Sequence, residues 1–256
     1  MRWRALWRWA VIWLVLPLVA TGPALAALIS VQQEISIGRQ VARELEGKYG
    51  LYRDPTLDGR VAAVGERLAA VSDRPDLPYT FKILNTSEVN AVAAPGGFIY
   101  LTRGMVFFLR SDDELAFVLG HEVAHAARRH GAQMIERNFA WSLGLWILIR
   151  VLGGDPTAVQ IADFARFLIT RGYSREFEFE ADRYGILYMR RAGFDPAASL
   201  VVLERLRAEQ RREPSQFEVL FRTHPALSER IERVRGQLRE MGYMGILHWQ
   251  IGAVPV

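Results

Sequence analysis

Apolar side chains recur at intervals of three and four over most of this chain of 256 residues, and only two short stretches alternate with a period of two. The first spacing gathers apolar groups on one face of a helix, the second on one face of a strand. Helices are therefore expected over Gln32 to Tyr49 and Pro55 to Val71, the second capped by Asp54 with Pro55 in its first position. Another begins at Ser111-Asp112-Asp113-Glu114, a serine followed three residues on by a glutamate, which reads as a capping box. Asp195-Pro196 opens a helix that reaches about Arg211, and Pro225 opens the last. Tyr79 to Leu84 reads as a strand. After the turn Pro95-Gly96-Gly97, Phe98, Tyr100 and Thr102 alternate with Ile99 and Leu101, the pattern of a half-buried strand in a hairpin. The expected fold class is α+β, mostly helical, with a small β-sheet.

The first residues stand apart from this pattern. Met1 to Arg8 carries three arginines, Trp9 to Ala20 is an apolar run, and Ala24-Leu25-Ala26 is a small-residue site. This is the layout of a secretory signal over residues 1–26, and it implies export to the periplasm of a cell with two membranes. An uncleaved, Trp-flanked membrane anchor is the alternative, although the run falls short of the roughly 20 residues of a comfortable span. Residues 27–256 suit a single domain with a sizeable core, with no internal repeat or low-complexity linker. The net charge of +4 loses three arginines with the leader and comes to +1, so the basic balance belongs to targeting. Lysines and arginines do not cluster on one element, and no nucleic-acid partner is expected. With no cysteine there is no lipoprotein attachment site, no disulfide and no thiolate ligand. Phe139 to Leu152 is almost wholly apolar and too short to span a bilayer. It reads as a core helix, or as a lid or patch that covers a cleft or contacts a membrane surface.

Chemistry enters in the helix that starts at Ser111. Leu115, Phe117, Val118 and Leu119 bury it, and Gly120-His121-Glu122-Val123-Ala124-His125 follows. Residues four apart stack on one helix face, so His121 and His125 can hold one metal ion. Glu122, about 100° round the helix, can reach a water there without ligating the ion. Arg128, Arg129 and His130 before Gly131 read as the cations and glycine of a helix end, with His130 compensating the dipole.

Catalytic zinc usually takes a third protein ligand. The pattern with a further histidine six residues after the second is excluded, because Gly131 stands there and Arg128 replaces its glycine. A carboxylate is the alternative, and Arg175 to Gly185 offers Glu176, Glu178, Glu180 and Asp182. Glu178 and Asp182 share a face with Gly185, whose missing side chain would let this helix approach the first, and Phe177, Ala181, Tyr184 and Tyr188 form the adjacent apolar stripe. In this reading Glu178 binds the metal and Asp182 takes a hydrogen bond from a ligating histidine. An acidic, solvent-facing helix start is the competing reading of the same four acids.

Four separated segments resemble zinc metallopeptidase family forty-eight, the membrane-associated and periplasmic peptidases of the CAAX prenyl protease, HtpX and β-barrel assembly-enhancing protease type. They are Asn90 to Gly104, Gly120 to His125, Tyr173 to Gly185 and Thr223 to Arg230, and the resemblance covers roughly 34–240. It implies a zincin-like (gluzincin) domain whose small sheet edges the cleft, with one Zn2+ per chain on His121, His125 and Glu178, and Glu180 set aside. Asp182 would stand behind a ligand and Glu122 would act as general base. The resemblance also places His224 near the zinc, where it would stabilise the oxyanion or close the open metal position; Arg230 is a weaker candidate for the same work, and Arg222 and Arg233 read as solvated charges. Gly97, Phe98, Ile99 and Tyr100 would form the strand that pairs with an extended substrate. The implied function is an exported zinc endopeptidase acting on unfolded or misassembled envelope proteins. The alternative is a latent or chaperone-like binding protein whose metal site His224 closes. The helical repeat array that follows the peptidase in some relatives is not seen, so no scaffolded partner is expected.

Overall fold

The computed structural model describes residues 29–139, 171–212 and 215–243. The leader, residues 140–170 that carry most of the Phe139 to Leu152 stretch, and the last residues lie outside them. The chain divides into two compact units at Ser30, and all the helices and strands described belong to the second, Val31–Val256.

Two helices come first, α1 (Val31–Tyr49) and α2 (Pro55–Ala70), and Asp54 caps α2 by accepting from the backbone N–H groups of Thr56 and Leu57. Strands β1 (Thr80–Leu84), β2 (Ala91–Ala94) and β3 (Phe98–Thr102) form one sheet in the order β1-β3-β2. The tight turn Pro95–Gly97 joins β2 to β3, with Gly96 and Gly97 at positive φ. β3 runs antiparallel to β2 and parallel to β1. Ile83, Ala91, Ala93, Ile99 and Leu101 face the main core, and Leu84, Val92, Ala94 and Tyr100 face a smaller one under α1. The expected half-buried strand is therefore buried on both sides. α1 covers the second face, with its Gly38 so close to the turn that a Cβ there would collide with the Pro95 carbonyl. Glu34 of α1 is buried and accepts from Arg74, Arg129 and the Gly96 N–H, pinning α1 to that turn.

After the short α3 (Arg103–Phe108), α4 (Asp112–Ala127) runs through the middle of the core. Ser111 caps it by accepting from Glu114 N. Glu114, the other half of the expected capping box, reaches back to the N–H of Arg110, one residue before the cap, at 2.7 Å, and also forms a buried bidentate pair with Arg205. α5 (His130–Phe139) follows, then α6 (Arg175–Arg191), α7 (Ala198–Arg212), α8 (Glu218–Thr223) and α9 (Leu227–Glu240). α7 and α9 start two residues later than the prolines suggest. In the first case Asp195 Oδ1 closes a local turn onto Ala197 N; in the second Ala226 adopts a left-handed conformation. α4 and α6 cross backbone against backbone where Gly120 meets Gly185, since a Cβ on Gly185 would lie 2.9 Å from Gly120 C and from His121 N. That crossing is what brings the histidines of one helix against the acids of the other. Among the described residues no helix is long and apolar enough to cross a membrane.

Candidate metal centre

α4 is buried on all sides at its C-terminal half, so His121, Glu122 and His125 project into the interior. The Nε2 atoms of the two histidines are 3.0 Å apart. Glu178 of α6, fully buried, brings Oε2 to 3.5 Å from His121 Nε2 and Oε1 to 3.4 Å from His125 Nε2. His224, at the end of α8, sets Nδ1 3.1 Å from Glu178 Oε2. One atom from each of these four residues lies within 4.8 Å of all the others, a group that could hold a metal ion.

The chemistry of the donors fits a cation. Asp182 Oδ1 lies 2.9 Å from His121 Nδ1, which donates to it, leaving the lone pair of Nε2 turned inward. Imidazole lone pairs and a carboxylate crowded together in the buried interior are costly unless a positive charge sits among them. Protons supply part of that charge in the metal-free protein. Burial alone would lower His121, but Glu178 and the hydrogen bond to Asp182 outweigh it and lift its pKa to about 9. Burial holds His125 well below its ordinary value. Glu178 stays well below the usual carboxylate range in spite of burial, because His224, Arg230 and His121 surround it.

Arg230 of α9 closes the far side. It clamps Asp182 with two bonds of 2.7 Å and reaches Glu178 Oε2 at 2.9 Å. It is buried, and its cation offsets both acids, a larger part than its sequence context suggests. Arg222 is exposed beside Glu218, and Arg233 lies over the ring of Phe179.

Glu122 stands beside the group. Its Oε1 is 3.9 Å from His224 Nε2, and its buried Oε2 has no hydrogen-bond partner among the described residues. Burial raises its pKa, against the pull of His224 and His121. An unpaired carboxylate oxygen at such a place is an acceptor waiting for a donor. A cavity opens next to Glu122 and His121, lined mainly by apolar side chains including Met105, Phe117, Val118, Val202, Leu203 and Phe221.

Two expectations are corrected. Gly97, Phe98, Ile99 and Tyr100 do not form an open edge, because β3 is the middle strand and both its edges are paired. Tyr100 points under α1, where its hydroxyl donates to Glu46 at 2.6 Å. The strand that borders the donors is β2. Asn90 O is taken by Thr102 N, so the carbonyls of Ala91 and Ala93 turn outward, one 3.5 Å from His224 Nε2 and the other accepting from Tyr173 OH. His130, expected to compensate the dipole at the end of the histidine-bearing helix, is instead fully buried and opens α5. The left-handed residue that ends α4 is Arg129, at φ 60°, not Gly131; Glu34 anchors Arg129, and the chain folds His130 back onto His125. Tyr173, stacked on the His125 ring at 3.9 Å, carries no sequence signal of its own beyond the segment it opens. Glu180, set aside as a ligand, is indeed outside the group and faces Arg128 and His130.

Two histidines one turn apart, a carboxylate from a crossing helix and a buried glutamate beside them define the class of metallopeptidases. Residues 55–238 match the model of peptidase family M48, and the chain belongs to that family, whose metal is zinc. It is similar to the β-barrel assembly-enhancing protease of Escherichia coli O157:H7, 30% identical over 229 residues, with 86% of this chain and 47% of that protein covered. The protein of the same name from Yersinia pestis is 30% identical over 232 residues, with the same shares. The mitochondrial metalloendopeptidase OMA1 of Schizosaccharomyces pombe is 29% identical over 218 residues, covering 83% of this chain and 63% of that one. The chain spans about half the length of the bacterial relatives it matches.

Proposed function

We propose that this protein is an exported zinc-dependent endopeptidase that cleaves unfolded or misassembled envelope proteins, with His121, His125 and Glu178 as the metal ligands and Glu122 as the base. The observation that carries the reading is the buried, unpartnered Oε2 of Glu122 beside the convergent donors. A purely structural metal site has no use for an uncompensated carboxylate next to its ligands. Zinc, when bound, supplies Lewis acidity that brings the pKa of water down to about 7 and polarises the scissile carbonyl. Glu122 takes the proton of the attacking water and later delivers it to the leaving amine. Asp182 holds His121 in the tautomer whose Nε2 faces the metal, and Arg230 keeps Asp182 and Glu178 ionised. The apolar cavity beside Glu122 receives one side chain of the substrate. Envelope substrates and a periplasmic location rest on the names of the bacterial relatives and on the leader-like residues 1–26.

A second reading is favoured by His224, which sits within the donor group and bonds Glu178. In that reading it closes the site, and the protein is latent or acts by binding alone. Cleavage of an unfolded polypeptide by the zinc-loaded protein, run beside Glu122→Gln, tests the first reading. Loss of about 10²–10⁴-fold in rate with zinc retained is expected. Equal turnover by the variant would refute the base. An inactive wild type that His224→Ala awakens would establish latency.

A further inference from the structure

Asp182 is the outer partner of His121, whereas the outer nitrogen of His125, Nδ1, meets no carboxylate among the described residues. Its Nδ1 faces another imidazole nitrogen, His130 Nδ1, at 2.8 Å. Two lone pairs or two N–H groups would repel at that distance, so one proton lies between them. His125 Nε2 points at His121 Nε2 and Glu178 Oε1, the side where a metal takes a lone pair, so the shared proton belongs on His125 Nδ1. His130 then accepts through Nδ1 and carries its own proton on Nε2. That nitrogen is buried and has no well-aligned hydrogen bond among the described residues, and Glu180 Oε2 lies 3.4 Å away. Arg128 holds the other oxygen of Glu180 at 2.7 Å. The ring of His130 is fixed by stacking on Phe177, with centroids 4.3 Å apart.

We propose that His130, steered by Glu180, is a positioning residue for the metal centre: it accepts the Nδ1 proton of His125 and so fixes the tautomer and ring angle that present Nε2 to the metal. The proposal rests on the assignment of His121, His125 and Glu178 as metal ligands. It makes the two ligand histidines differently supported, one by a carboxylate clamped by Arg230 and the other by a neutral imidazole.

The test is zinc affinity, measured by competition with a chelator, for His130→Leu and His130→Asn. These side chains are nearly the same shape, but only asparagine places an acceptor oxygen where Nδ1 stands. Leu should weaken zinc binding about 10–100-fold, the usual effect of losing an outer partner, and Asn should restore most of it. The visible spectrum of the cobalt-loaded protein should change with Leu and match wild type with Asn. Equal affinities for the two variants, whether both intact or both weakened, would overturn the proposal and leave His130 as packing. His121→Ala serves as the control. If it leaves zinc affinity intact, the ligand assignment itself has failed, a result separate from failure at His130.

Discussion

The crossing of α4 and α6 can be tested with one methyl group. On Gly185 it would lie 2.9 Å from two backbone atoms of α4, whereas carbon contacts settle at about 3.5–4.0 Å. Backbone cannot swing aside as a side chain does, so the helices must part by several tenths of an ångström. Overfilling a packed core costs about 1–3 kcal/mol, while alanine in place of glycine inside a helix returns about 1 kcal/mol. Gly185→Ala should therefore lose about 0–2 kcal/mol. Gly236, in α9, offers the matching control, because a methyl there meets nothing within 4 Å. Gly236→Ala should gain about 1 kcal/mol. Urea unfolding of the zinc-free proteins should separate the variants by about 1–3 kcal/mol. Parting the helices also draws His121 from Glu178 and Asp182, so Gly185→Ala should bind zinc about tenfold or more weakly, with Gly236→Ala unaffected. A Gly185→Ala protein as stable as Gly236→Ala, with undiminished zinc affinity, would show that the backbone contact does not set the donor spacing.

Three further outcomes are expected. Arg205→Met strands Glu114 in the core and should cost about 3–5 kcal/mol in urea unfolding, part of which Glu114→Leu in the same chain should restore. Glu46 accepts from Lys82 at 2.7 Å and Tyr100 at 2.6 Å, and despite burial these partners lower its pKa below 4.5. Its folded form thus binds fewer protons than the unfolded chain, a stability present above pH 4.5 and lost as pH falls further; Glu46→Gln should cost about 1 kcal/mol at pH 7 and progressively less as the pH is taken below 4.5, as read from urea midpoints. Removing zinc from a sample held at a hundredfold excess over its dissociation constant should cost about 2.7 kcal/mol, seen as a fall of about 5–10 °C in Tm. A chelator without effect on Tm would argue against a site formed only in the fold.

What sequence reveals and what it hides divide along the range of the forces involved. The caps at Asp54 and Ser111 and the turn at Pro95 are local, and their elements begin where expected. The histidine pair and Glu178 are legible because helix periodicity fixes a face and the family motifs fix a partner. The end of α4 is not, because Arg129 takes the left-handed turn under the hold of Glu34, 95 residues earlier in the chain. His130 reads as a helix-end, dipole-compensating residue for the same reason, since the groups that pack against it, Phe177 and Tyr173, arrive from elsewhere. Alternation in β3 shows a strand but not its place in the sheet, which depends on the parallel partner β1. Arg230 reads as a basic residue near a motif; its pairing with two buried acids is a matter of tertiary electrostatics.

The donors come from positions 121, 125, 178 and 224, so no short fragment of the chain contains the centre. A newly made polypeptide carries at most a histidine pair, with the carboxylate still to arrive on α6 and the arginine that offsets it still later on α9. Competence therefore exists only while these separated segments are held together by the fold. A peptidase built this way is inert for as long as it is itself an unfolded chain of the kind it is proposed to cut.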